Sequence, residues 1–179
     1  MNYNTPYLLA AFALVLAVIS PIASGGSVPS LTTRTEFRIE GNGNTNYLDL
    51  GLVISPNNGD DPGGTLPASS IGPGSFHYLF VDATTHTEPH ATPALQDSNL
   101  AFTMREPLTT ESSIWNLADT GELTPAWVNE DGSVSDQQLF LHYPLSEFLI
   151  IADFPSFFNK FTPGASVIPV AWVLVPDSG

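Results

Sequence analysis

The chain contains no cysteine. Disulfides, thiolate metal sites and a cysteine nucleophile are therefore excluded, and stability must come from packing and turns. Positive charge is nearly as scarce: four Lys and Arg stand against 18 Asp and Glu, for a formal net charge of −14. Such a balance excludes sequence-independent gripping of nucleic-acid phosphates and disfavours anionic membrane surfaces. Catalytic signatures are missing as well. We find no Gly-x-Ser-x-Gly elbow, phosphate-binding glycine loop, His-Glu-x-x-His zinc helix or Ser-x-x-Lys motif, so the reading leans away from an enzyme. No Asn stands in an Asn-x-Ser/Thr acceptor site, and N-glycosylation is not expected.

What is present is apolar and rich in turn formers, with 42% hydrophobic residues, 16 Pro and 14 Gly in 179 residues. Tyr7 to Ile19 is an almost unbroken apolar run, followed by Ser20-Pro21 and then the small residues Ala23, Ser24, Gly25 and Gly26. This reads as a helical signal peptide over 1–24. The run is shorter than the roughly 20 residues a spanning helix needs, so stable membrane insertion is not expected after cleavage. Residues 25–33 form a linker, and 34–176 a single domain, secreted to the extracellular space or cell wall. A mature chain of about 155 residues is long enough to bury a disulfide-free core. The apolar tail from Ala165 to Pro176 is punctuated by Pro169 and followed by Asp177-Ser178-Gly179, which suits a terminal strand better than a lipid-anchor signal.

Alternation dominates the domain. Phe37 and Ile39 oppose Glu36, Arg38 and Glu40, and Leu48, Leu50, Leu52 and Ile54 repeat that period after the turn residues 41–44. Further apolar runs, each expected as a strand, lie at 76–81, 100–104, 114–117, 139–143, 148–152 and 167–175. Asp131-Gly132, between Trp127-Val128 and Ser133-Val134, predicts a hairpin with positive φ at both turn residues. No helical period is sustained over three turns, so the domain is expected to be all-β. A sandwich or closed barrel of short antiparallel strands follows, because a lone open sheet leaves an apolar face in water. A β-trefoil-like alternative rests on two loosely similar stretches, Phe37-Arg38-Ile39 with Gly43 and Trp115-Asn116-Leu117 with Gly121. The polar stretch from Ser55 to Gly74 is expected to be an exposed loop.

Three groups of residues are candidate sites. His86, Glu88 and His90 offer ligands suited to a divalent metal, although an extended chain would hold the two histidines about 13 Å apart and a bend is needed. His77 and His142 are possible distant ligands. Asn58, Asp60 and Asp61, and separately Asn129, Glu130, Asp131 and Asp136, carry oxygens suited to Ca²⁺, but neither group has calcium-loop spacing, and turn chemistry explains both. Trp115 and Trp127, with Trp172, Tyr47, Tyr78 and Tyr143, are candidates for a carbohydrate-stacking face, with core packing as the ordinary alternative.

Phe37-Arg38-Ile39, Leu48 to Pro56 after a Gly/Asn turn, Gln138-Leu139-Phe140 and Thr162-Pro163-Gly164 before Val170 to Val175 together resemble small secreted or cell-surface proteins of filamentous fungi. The resemblance implies an extracellular, all-β product and carries no catalytic residues. The expected function is therefore that of an acidic, non-enzymatic binding or surface protein of the extracellular matrix or cell wall, with polysaccharide as partner. The alternatives are a small hydrolase dependent on carboxylates or a metal, and a self-associating structural or spore-coat component.

Overall fold

The computed structural model describes residues 49–59, 66–143, 145–161 and 166–173. The expected leader, the linker and the first predicted strand at Phe37 and Ile39 lie outside the described residues. Leu50, Leu52 and Ile54 fall on one face of strand β1 (Asp49–Ile54), as their alternation requires. Around β1 stand β2 (Tyr78–Thr84), β3 (Ala94–Gln96), β4 (Leu108–Glu111), β7 (Gln138–His142), β8 (Glu147–Ile151) and β9 (Val167–Pro169). They form a seven-stranded antiparallel sheet in the order β3-β4-β1-β2-β8-β7-β9. A second antiparallel sheet contains β10 (Trp172–Val173), β6 (Glu122–Pro125) and β5 (Trp115–Leu117) in that order. The protein is thus mostly β, with strands divided between two antiparallel sheets.

Both faces of the large sheet are buried. Leu52, Ile54, Leu79, Leu139 and Ile150 meet Trp115, Leu123 and Trp172 of the small sheet in the main core, together with Ile71, Ile114 and Trp127 from connecting segments. On the opposite face, Tyr78, Phe140, Leu149 and Ile151 cluster with Phe157, while Val53 packs with Ala101 and Leu108. This explains the unbroken runs Tyr78-Leu79-Phe80-Val81 and Phe148-Leu149-Ile150-Ile151. Their odd and even positions serve different cores. A sheet apolar on both sides needs two covering layers rather than one enclosed interior. The described strands accordingly do not close into the barrel, trefoil-like or otherwise, that the sequence left open.

Two short helices lie against the outer face of the large sheet within this mostly β fold. Leu100 to Met104, expected as a strand, belongs to helix α1 (Asn99–Met104). Ser98 caps it, its Oγ accepting from Ala101 N at 3.0 Å, and Arg105 ends it in the left-handed region with φ 63°. With Ala101 buried and Phe102 exposed, the run divides by helical rather than strand period. Helix α2 (Phe154–Phe161) is capped by Asp153, whose Oδ1 accepts from Ser156 N at 3.0 Å. That bond, helped by Gly74 N–H donating to Oδ2 at 2.6 Å, holds the Asp153 carboxyl below the ordinary carboxylate range. Phe154, Phe157, Phe158 and Phe161 make an i, i+3, i+4, i+7 stripe of only two turns, too short to stand out among strands.

The terminal apolar run also divides. β9 pairs with β7 at an edge, where Pro169 is tolerated, and the chain then crosses to pair β10 with β6. At Asp131-Gly132 the chain reverses, with Asn129 N–H donating to Ser133 O at 2.8 Å. Only Gly132 has positive φ there, and the flanking residues form no ladder, so this is a turn rather than the predicted hairpin.

The stretch from Ser55 to Gly74 is not simply an exposed loop, since Ser55, Asn58, Ser70 and Ile71 are buried. Buried loop backbone needs partners, and side chains supply them. Asn129 Oδ1 accepts from Ile71 N at 2.9 Å and its Nδ2 donates to Ile71 O at 3.0 Å. Asn58 treats Tyr78 the same way, its Nδ2 donating to Tyr78 O at 2.8 Å and its Oδ1 accepting from Tyr78 N at 3.1 Å. Trp127 Nε1 donates to Ser69 O at 3.1 Å. His77, 0% exposed, places Nδ1 2.8 Å from Ser70 O and Nε2 3.0 Å from Gly59 O.

Candidate functional site

The period of two that begins in β2 continues past its end. Thr87 turns inward, where its N–H donates to Ser112 Oγ at 2.8 Å and its Oγ1 accepts from Ser112 N at 2.8 Å. His86 and Glu88 consequently share the outer side, with His86 Nε2 4.0 Å from Glu88 Oε1. His86 Nδ1 lies 3.0 Å from Oδ2 of the buried Asp49, an arrangement that fixes the imidazole ring. Ser112 Oγ donates to that same carboxylate at 3.4 Å. The hydroxyl therefore sits at the Asp49 end of the dyad and not on Nε2, where a nucleophile would stand. His90, with φ 63°, is the third residue of the turn that Ala91 N–H closes by donating to Glu88 O at 3.1 Å. The expected bend exists. Among the described residues, however, no three of His, Asp and Glu are grouped so as to hold a metal ion, so His86, Glu88, His90, His77 and His142 do not assemble one centre.

The tryptophans lie inside. Trp115 and Trp127 are each 0% exposed, and Trp172 stacks on Trp115 with ring centroids 5.4 Å apart. Trp115 Nε1 donates to Leu50 O at 2.7 Å, which ties the small sheet to β1. Their faces are covered by the core, which removes the open surface that sugar stacking on Trp115 and Trp127 would need. Of the oxygens proposed for Ca²⁺, those of Asn58 and Asn129 serve buried backbone, and Asp131 Oδ1 accepts from Ser133 N at 2.9 Å within its own turn. Asp60 and Asp61 lie outside the described residues.

A different feature has the form of a ligand site. Between the outer face of β2, β7 and β8 and helix α2 runs a cleft of about 400 Å³, lined by Asn57, Tyr78, Phe80, His142, Leu145, Glu147, Leu149, Phe157 and Phe161. Its floor is aromatic. The Tyr78 ring stands 5.3 Å from Phe80, 5.3 Å from Phe157 and 5.5 Å from Phe161, at interplanar angles of 70°, 82° and 85°. Polar groups converge on it. Asn57 Nδ2 donates to Tyr78 Oη at 3.2 Å, and His142 Nδ1 lies 3.6 Å from Glu147 Oε2 across the β7–β8 register. Apolar walls with a few placed polar groups, in a volume suited to a small ligand, are what a binding pocket requires.

Comparison with protein-family models, curated proteins and solved structures finds no match to this chain. The site therefore rests on its own geometry. Sequence reasoning had singled out only Tyr78 and His142 among the cleft residues, and for other roles. The overlooked signal was the Phe stripe of α2, which begins at Phe154, just after a strand whose alternate positions, Leu149 and Ile151, face it.

Two further polar groups were missed because nothing local marks them. Glu111 is buried, its Oε2 accepting from Val128 N at 2.9 Å. Asp82 of β2 accepts from Leu100 N at 2.6 Å at the start of α1, and burial pushes its carboxyl up to about 6 despite that bond. Among the described residues no helix is long and apolar enough to cross a membrane.

Proposed function

We propose that this is a secreted, acidic, non-enzymatic binding protein of the extracellular matrix or cell wall, built as a β-sandwich with a helical outer layer, and that it takes a sugar unit of a wall polysaccharide in the cleft under α2. One observation carries the reading: aromatic rings and hydrogen-bonding groups line the same cavity of about 400 Å³. The secretory-type leader and the acidic balance in the sequence support the compartment. Sedimentation of the purified mature protein with insoluble glucan, chitin and whole cell walls tests it. Binding to at least one material, reduced by Phe80→Ala, is the expected result. Recovery wholly in the supernatant with all three would overturn it.

A small hydrolase is the second reading, favoured by the Asp49–His86 pair with Glu88 beside it. A carboxylate-held imidazole is a general-base arrangement. Metal analysis after purification without chelators discriminates. Stoichiometric zinc that disappears in His86→Ala would replace the binding reading with this one.

A further inference from the structure

The cleft differs from an ordinary sugar-stacking surface in its ring geometry and in its charge. A neutral pyranose laid on an aromatic side chain needs one flat, open ring. Here the rings stand at 70–85° to Tyr78 and form a corner, while the broadest aromatic faces, those of the tryptophans, are internal. Perpendicular rings suit a compact cation, which is drawn to the negative ring face.

Charge points the same way. Glu147 lines the cleft, no Lys or Arg among the described residues does, and the chain as a whole carries −14. Among the described residues that line it, His142 is the one basic side chain, set against Glu147 in register. The protein already displays the contact in question one ring away: Lys160 Nζ stands 4.6 Å from the centroid of Phe76, and Phe76 packs edge-on against Phe161 of the cleft at 5.9 Å. Asn57 and the Tyr78 hydroxyl, already bonded to each other, supply the acceptor and donor that ring hydroxyls need.

We infer that the cleft selects a sugar unit carrying a free ammonium group, so that the preferred wall ligand is an amino-sugar polymer rather than a neutral glucan. This rests on the binding function proposed above and names its ligand class. In the bound state the ammonium lies in the aromatic corner beside the Glu147 carboxylate, and the hydroxyls meet Asn57 and Tyr78.

Isothermal titration at pH 6 and physiological salt tests it, using the full mature protein with glucosamine oligomers, the same oligomers N-acetylated, and β-glucan oligomers of equal length. The glucosamine series should bind at least about tenfold more tightly than the acetylated one. Glu147→Gln should weaken it by about fivefold or more, and Phe161→Leu similarly. Asp119→Asn, an exposed charge in the β5–β6 turn, should change it less than about twofold, because it alters only the long-range field. The unfolding midpoint of each variant separates loss of fold from loss of binding. Equal binding of acetylated or neutral oligomers, lost in Phe161→Leu, would overturn the ammonium inference and leave the sugar-binding cleft standing. Glucosamine binding weakened equally by Glu147→Gln and Asp119→Asn, or by neither, would assign it to diffuse attraction and overturn the inference. Failure of every oligomer to bind would overturn both.

Discussion

Asn129→Ala removes a side chain that acts as the missing strand partner of Ile71. Two bonds to one buried peptide are lost, at 2.9 and 3.0 Å, along with a third to Ser133 Oγ at 3.1 Å. Ile71 O keeps a donor, since Ser135 Oγ reaches it at 3.1 Å, but among the described groups no other acceptor serves Ile71 N. Ile71 is 0% exposed in the main core, so water has no ready access to that N–H. The desolvation penalty of the orphaned donor, about 1–3 kcal/mol, plus about 1 kcal/mol net for the bond lost at Ile71 O, with Ser133 exposed to water, gives a loss of about 2–4 kcal/mol. In urea this lowers the midpoint by about 1–2 M with an unchanged slope. Asn58→Ala, which breaks the matching pair to Tyr78, should cost a similar amount. Asn129→Asp should be worse than Ala at neutral pH and recover on acidification, because its second oxygen would face Ile71 O without a proton. A loss below about 1 kcal/mol for both alanine variants would refute the claim that these amides hold the loop in the core.

Asp82 tests the same economy of buried polarity through pH. Its folded value of about 6 lies above the ordinary 3.8, so the folded state binds the extra proton. The resulting stability, about 3 kcal/mol, is fully present below pH 4 and lost as pH rises through 6. Urea midpoints should therefore fall between pH 4 and 7, and Asp82→Asn should flatten that fall; an unchanged slope in the variant would exclude Asp82 as its source. Gly51→Ala should destabilise by about 2 kcal/mol or more, because a Cβ there would collide with Thr84 Oγ1 and lie 2.5 Å from Glu111 O, which is backbone and cannot yield. Thr84→Val, by contrast, should raise stability by about 1 kcal/mol, since the buried Thr84 hydroxyl has no hydrogen-bond partner among the described residues. Thermal unfolding of both variants against wild type decides these two.

Where one period governed a segment, the sequence was enough. Leu50, Leu52 and Ile54 lie on the predicted face, and the runs at 139–143 and 148–152 coincide closely with β7 and β8. It misled where a cap rather than a period decided the structure. Leu100 to Met104 is as apolar as a strand, but Ser98 and Asp82 both accept N–H groups at its start, and Asp82 is 18 residues away. Local reading sees the serine and not the aspartate. The loop from Ser55 to Gly74 failed for a related reason. Its polarity is real, yet the buried peptide of Ile71 is satisfied from a residue remote in sequence, Asn129 being 58 positions away. Composition reports that a segment is polar, not that a distant amide makes its burial tolerable.

The site was harder still, because each of its parts looked like something else. Tyr78 and Phe80 are strand residues, Phe157 and Phe161 helical core residues, and His142 and Glu147 an ordinary cross-strand pair. They form a cleft only because the large sheet is apolar on both faces. Had β2 and β8 been polar on their outer side, α2 would have had nothing to pack against and no cavity would lie beside it. Phe154, Phe157 and Phe161 of α2 cover that face, and the cleft lies where Phe157 and Phe161 meet the sheet at the His142–Glu147 end of the β7–β8 pair. The aromatic cluster that secures the outer layer is thus the same cluster that lines the proposed binding site. It follows that Phe157→Ala, which empties the middle of the cluster, should cost about 3–5 kcal/mol of stability and abolish oligomer binding together, whereas Glu147→Gln should alter binding alone. If Phe157→Ala kept full affinity in the folded fraction, the ligand would have to sit elsewhere on the protein.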